Sequence, residues 1–206
     1  MNPAELNHDP YNLIITGVGG QGNVLASRMV GDMLSRQGYD ITIGETFGAS
    51  QRGGSVMSHL RVSTHGSCSP QISMGRAHMV VSLEPTEALR VLKTYGNPEV
   101  QVITNMRPVR SMGVISGEQT YPDSDQLKIW LKQFSGRAWF LDTTQAVSRL
   151  GNPIFGNVIL VGALSETSGL PLDRDTFEDV VRDRMPPGKV EINLTAFDMG
   201  REMVRG

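Results

Sequence analysis

The sequence lacks most of what would let a chain act alone. A single cysteine, Cys68, stands among 206 residues. It excludes an internal disulfide, and it cannot by itself hold an iron–sulfur cluster, which needs several thiolates. Charge is sparse and balanced, 19 Lys and Arg against 21 Asp and Glu. Nothing in that balance favours general attraction to nucleic acid or to a membrane surface. No apolar run approaches the ~20 residues of a membrane span. The opening MNPAELNHDPYN is polar and contains proline, without the apolar stretch of a signal peptide, so the cytoplasm is the expected compartment. Catalytic signatures are missing too: no GxSxG elbow, no Walker A lysine, no CxxC and no HExxH, which leaves no catalytic or metal-ligating residues to name. Aromatics are few at 6%, against eleven methionines. Those suit an adaptable core or a contact surface.

What is present begins at Leu13-Ile14-Ile15-Thr16, an apolar run followed directly by Gly17-Val18-Gly19-Gly20-Gln21-Gly22. Strand, glycine turn and amphipathic stretch predict the start of a Rossmann-like unit. Gly17, Gly19 and Gly22 fall at the GxGxxG spacing. Glycines there let the backbone turn sharply, approach an anion and pack a helix on its strand. The helix N-terminus adds free N–H groups and partial positive charge. The same glycines also serve close packing without any ligand.

Leu25, Met29, Val30, Met33 and Leu34 recur at helical spacing, with Gly38 marking the helix end. Asp40 to Glu45 reads as a second strand completing βαβ. Glu45 stands where a dinucleotide fold places its ribose-binding acid, although a strand-end carboxylate is common in any α/β sheet. Next comes Phe47-Gly48-Ala49-Ser50-Gln51-Arg52-Gly53-Gly54-Ser55, a glycine-rich loop with one guanidinium and two hydroxyls. Such a loop suits a phosphate or carboxylate. Either Arg52 and the N–H groups of Gly19 to Gly22 converge on one anion, or Arg52 pairs with an acid such as Glu45 and shapes the loop. Ser55 to Val62 alternates as a strand; His59 within it is read as a satisfied strand histidine, and Cys68 as a plain thiol.

Further strands are expected at His78–Leu83, Val100–Thr104 and Ala138–Asp142. Helices are expected from Pro85 to Tyr95, from Asp123 or Ser124 to Phe134, from Thr144 to Leu150, from Phe155 to Thr167, from Arg174 to Met185 and from Val190 onward. Asn105 to Pro122 reads as irregular, with a short strand at Gly113–Ile115. Gly156 and Gly162 in an apolar helix imply packing on both sides. The whole predicts one α/β domain, a three-layer Rossmann-like fold with a mostly parallel sheet (residues 12–206), preceded by a flexible arm (residues 1–11).

The stretch from Asn12 to Ser63, with its GVGGQG and Gln51-Arg52-Gly53-Gly54-Ser55 loops at a fixed separation, resembles the gamma-type subunit of 2-oxoacid:ferredoxin oxidoreductases, in particular their indolepyruvate branch. The helices around Asn157–Leu164 and Asn193–Phe197 extend the resemblance to the C-terminus. Asn23 departs from it, standing where an apolar residue is more usual. The resemblance implies a subunit of a complex that oxidatively decarboxylates a 2-oxoacid to acyl-CoA, CO2 and reduced ferredoxin. Thiamine diphosphate, Mg and iron–sulfur clusters are then held by thiamine-binding and iron–sulfur partner subunits, with ferredoxin as electron acceptor. It further implies a cofactor-binding role, toward coenzyme A, for Gly17, Gly19, Gly20, Gln21, Gly22, Gln51, Arg52, Gly53, Gly54 and Ser55. The alternatives are a stand-alone NAD- or FAD-binding protein and a purely structural assembly subunit.

Overall fold

The computed structural model describes residues 3–48 and 54–205; Ala49, Ser50, Gln51, Arg52 and Gly53 lie outside the described residues. At the centre is β1 (Tyr11–Val18), buried along its whole length. Its alternation sorts the core into two halves. Leu13 and Ile15 face one apolar cluster and Ile14 the other, as the two-residue period of a strand requires. After β1 come α1 (Asn23–Arg36), β2 (Asp40–Phe47), β3 (Ser55–Ser63), β4 (Met79–Ser82), α2 (Pro85–Tyr95) and β5 (Gln101–Asn105). A short α3 (Met112–Ile115), α4 (Ser124–Gln133), β6 (Arg137–Leu141), α5 (Thr144–Leu150), α6 (Gly156–Thr167), α7 (Arg174–Arg184) and α8 (Pro187–Arg205) complete the chain.

The six strands form one sheet in the order β2-β3-β1-β4-β5-β6. β1, β4, β5 and β6 are parallel neighbours, whereas β3 is antiparallel to both β1 and β2. β1 and β2 therefore run in the same sense, as a βαβ unit demands, but β3 is interposed between them. The reason is length. Residues 48–54 are too few for the crossover of a dozen or more that a parallel return needs, so the chain doubles back as a hairpin. One face of the sheet carries α1, α5, α6, α7 and α8 and the other α2 and α4, giving three layers.

α6 is buried from Gly156 through Leu164. It lies against the sheet on one side and α8 on the other, where the backbones meet at Gly162 and Gly200. α8 begins at Pro187 rather than Val190, because proline suits a first helical position. The strand expected at Gly113–Ile115 is instead the single turn α3, begun by Ser111, whose carbonyl accepts from Val114 and Ile115 N–H (3.1 and 3.0 Å). Asp123, not Ser124, caps α4. In the segment before β1, Tyr39 donates to the Ala4 carbonyl (2.9 Å), Asp9 accepts from Thr64, and His8 stacks on His78.

Candidate functional site

The parallel strands end at one crest of the sheet, where open α/β sheets bind their ligands. The glycine loop lies there, between β1 and α1. Its geometry is largely internal. The Gln21 amide turns inward: Oε1 accepts from Val18 N–H (2.7 Å) and Nε2 donates to the Leu83 carbonyl (3.0 Å), tying β1 to the end of β4. Gly17 belongs to β1 rather than to the loop. A Cβ there would meet Asn23 Oδ1 at 2.6 Å and Gln21 Oε1 at 2.7 Å, so its smallness accommodates those folded-back amides. Asn23 is 2% exposed. Its Nδ2 donates to the Val18 carbonyl (3.3 Å), while Oδ1 is buried without a donor among the described residues.

Gly20 and Gly22 adopt φ of +96° and +86°, the left-handed region that favours glycine. Gly22 is the N-cap of α1, and its carbonyl accepts from Ala26 N–H (3.0 Å) and Asn157 Nδ2 (3.3 Å). Two loop N–H groups expected to face an anion are already engaged. Gly19 donates to the Gly54 carbonyl (2.8 Å) and Gln21 to the Val18 carbonyl (3.1 Å).

The Gly19–Gly54 bond joins the two glycine-rich stretches. The antiparallel β3 makes this possible: Val18, at the end of β1, is paired with Ser55, at the start of β3. The Ser55 hydroxyl is spent inside the protein, on Glu87 Oε2 (2.5 Å). Gln51, Arg52 and Gly53 lie outside the described residues. Glu45 pairs with Arg28 (3.7 Å) and sits on β2, which β3 separates from β1 and its glycine loop.

Two buried carboxylates brace this crest. Glu84, fully buried, caps α2 by accepting from Glu87 N–H (3.0 Å) and Thr86 (2.6 Å), and it also takes the Tyr121 hydroxyl. Burial first, and then the Glu84 carboxylate, raise the Tyr121 phenol above its ordinary range. Glu87 holds Ser55 and pairs with Arg90 (3.3 Å). One helix start thus anchors both the β3 origin and the returning end of the segment 106–122.

That segment carries what sequence reasoning missed. A cleft of about 710 Å³ opens at the crest, bounded by Gly20, Gln21, Leu83, Arg107, Arg110 and Thr143 together with the Pro153–Gly156 turn that starts α6. Arg107 and Arg110 are exposed, and neither forms an ion pair within 4 Å among the described residues. Arg107 lies near Asp142 and adds to the lowering of its carboxyl, which is due chiefly to Thr144. The Thr143 hydroxyl is buried without a partner among the described residues. Asn105 Oδ1 accepts from the N–H groups of Arg107 (3.3 Å) and Thr143 (3.4 Å), joining the ends of β5 and β6. The available signal was Arg107-Pro108-Val109-Arg110 directly after a parallel strand. His59, 1% exposed, accepts from Ile72 N–H through Nδ1 (3.3 Å), while Nε2 has no partner among the described residues; burial lowers its pKa.

The model of the family described as pyruvate ferredoxin/flavodoxin oxidoreductase matches residues 12–203. The chain belongs to this family. It is a subunit of an oxoacid:ferredoxin oxidoreductase complex. It is 38% identical over 193 residues to the indolepyruvate oxidoreductase subunit IorB of Thermococcus kodakarensis, covering 92% of this chain and 94% of that one. The gamma subunit of a keto/oxoacid ferredoxin oxidoreductase from Geobacter sulfurreducens PCA shares the fold, with a TM-score of 0.68 at 19% identity over 95% of this chain and 98% of the other. The 2-oxoglutarate:ferredoxin oxidoreductase of Magnetococcus marinus, solved with 2-oxoglutarate, coenzyme A and succinyl-CoA, matches with a TM-score of 0.74 at 17% identity. This chain spans 97% of its own length and 32% of that longer one. In this family member, no helix among the described residues is long and apolar enough to cross a membrane.

Proposed function

We propose that the chain is the gamma-type subunit of a cytoplasmic, thiamine-dependent oxidoreductase of the indolepyruvate class, and that its crest cleft holds part of coenzyme A. The observation that carries the coenzyme role is the pair of exposed guanidiniums, Arg107 and Arg110, without an ion-pair partner among the described residues, beside the glycine loop and the start of α6. Guanidinium offers planar paired donors to phosphate, and the adjoining helix start adds N–H groups of the right polarity. Gly20 supplies backbone with open space around it, which lets a ligand approach. Gln21, Gly17, Gly19, Gly22, Gly54 and Ser55 hold the loop walls; a coenzyme role for Gln51, Arg52 and Gly53 is carried from the sequence alone. The substrate class follows the 38% identity to an indolepyruvate oxidoreductase subunit.

The donor set of this chain does not fit an iron–sulfur cluster, since Cys68 is its single thiol. Clusters, thiamine diphosphate and Mg accordingly belong to partner subunits, and ferredoxin takes the electrons from them. This chain's part is to bind and orient. The purely structural reading has its own support, namely the glycine-loop N–H groups already spent inside the protein.

One experiment separates the two readings. The complex is assembled with its partner subunits, and Arg107→Ala and Arg110→Ala are assayed with indolepyruvate, pyruvate and 2-oxoglutarate. A charge-assisted hydrogen bond of ~1.5–3 kcal/mol corresponds to a KM for coenzyme A raised roughly ten- to a hundredfold. Assembly should remain intact. An unchanged KM would leave the cleft without the coenzyme role, and preference for another oxoacid would remove the indolepyruvate assignment.

A further inference from the structure

A second cavity, of about 420 Å³, opens at the opposite end of the same strands, where β1, β4 and β5 begin. Its size falls within the ~300–1,000 Å³ of small-ligand sites. Over β1 and β4, its wall gathers three groups that carry or accept positive charge: His8, Arg76 and His78. The two imidazoles stack with ring centroids 4.1 Å apart and an interplanar angle of 13°. His78 Nδ1 accepts from Asn12 N–H (2.9 Å), so the neutral ring carries its proton on Nε2 and is a donor there. Among the described residues, neither Arg76 nor His78 has a carboxylate within 4 Å, and His8 has none either. Burial chiefly, with smaller contributions from His8 and Arg76, pushes the His78 pKa down to about 4.

Over β5 the polarity reverses. Gln101 Oε1 is buried and has no donor among the described residues, and the exposed Glu99 lines the same cavity. Between these ends, Asn97 is fully engaged, its Nδ2 donating to the Gly75 and Ala77 carbonyls (3.1 and 2.8 Å), which makes that wall rigid. A simple anion would satisfy only the β1–β4 end, and a cation only the β5 end. We propose that this cavity binds a small zwitterion of the α-amino-acid type, its carboxylate at Arg76 and the His8–His78 pair and its ammonium at Gln101 and Glu99. The site is separate from the crest cleft, since the two lie at opposite ends of the strands.

The test titrates the full chain with glycine, L-glutamate, L-phenylalanine and L-tryptophan, following heat and the histidine resonances. Acetate and methylammonium serve as half-ligand probes. At least one amino acid should bind with a millimolar or tighter Kd, and its carboxylate should raise the pKa read at His78. Arg76→Ala and Glu99→Gln alter exposed side chains and leave the fold intact. Each should weaken binding, Arg76→Ala by about tenfold or more, while Arg107→Ala should leave it unchanged. The proposal fails if no amino acid binds, if acetate binds as tightly as the amino acids, or if Arg76→Ala has no effect.

Discussion

Gly200 and Gly162 offer the sharpest test of how this fold is held. An added Cβ at Gly200 would stand 1.8 Å from the Ile159 carbonyl oxygen, and one at Gly162 would stand 2.0 Å from that of Phe197. Both distances fall roughly 1.5 Å short of ordinary contact, and separations of that size forfeit much of the dispersion attraction across an interface. The obstructing atoms are backbone, so no rotamer change relieves them. The helices must part, loosening Ile159, Ala163, Leu194, Ala196 and Phe197, all within 3% exposure. Overpacking alone costs ~1–3 kcal/mol when side chains can shift, and here they cannot. Alanine returns about 1 kcal/mol through helix propensity. The expected net loss for Gly200→Ala is about 3 kcal/mol, a fall in Tm of roughly 6–12 °C for a chain of this size. The control lies in the same helix. Gly188 is exposed with nothing within 4 Å of its added Cβ, so Gly188→Ala should be neutral or raise Tm by about 2–4 °C. Calorimetric scans of the two variants decide the matter. Equal melting temperatures would refute the claim that α6 and α8 meet backbone to backbone.

Three further outcomes are expected. His78 falls from 6.5 to about 4 on folding, so its contribution to stability is complete above pH 6.5 and is lost as pH drops toward 4; the ceiling is about 3 kcal/mol, reduced by solvent at the half-buried ring to on the order of 1–2 kcal/mol. Urea titrations from pH 7 to pH 4 should show this acid limb flattened in His78→Asn, and identical limbs would count against it. Tyr121→Phe removes a donor from the buried Glu84 carboxylate and should cost about 1.5–3 kcal/mol, with faster amide exchange across residues 106–122; unchanged exchange would mean that the segment is anchored elsewhere. Gly22→Ala meets both a φ of +86° and Asn157 Nδ2 at 2.3 Å, so it should destabilise by about 2–3 kcal/mol, whereas Gly20→Ala, with open space, should cost only ~1–2 kcal/mol of backbone strain; equal losses in denaturant titration would remove the Asn157 contact from the account.

Local chemistry made much of this protein legible from residues alone. The run Leu13–Thr16 had to be a buried strand because both of its faces are apolar. Pro85 and the Asp123-Ser124 pair announced helix starts, because a first-turn proline lacks one of the unpaired N–H groups and an N-cap oxygen accepts from another, wherever they occur. Gly162 signalled close packing, and it meets Phe197. The glycine loop and its neighbour Gly54 were found as motifs, and their separation marked the family.

Tertiary structure decided the rest, because long-range pairing leaves little trace in a short window. The insertion of β3 between β1 and β2 follows from where a hairpin finds its hydrogen-bonding partners. That placement brings Gly54 to Gly19 and turns Ser55 toward Glu87. The inward amide of Gln21 depends on Leu83, 62 positions away. Arg107 and Arg110 gain meaning only where the ends of β1, β4 and β5 meet the start of α6 and open a cleft. Motif and spacing determined which loop would sit at the end of β1; only the packed sheet determined which side chains face the space above it.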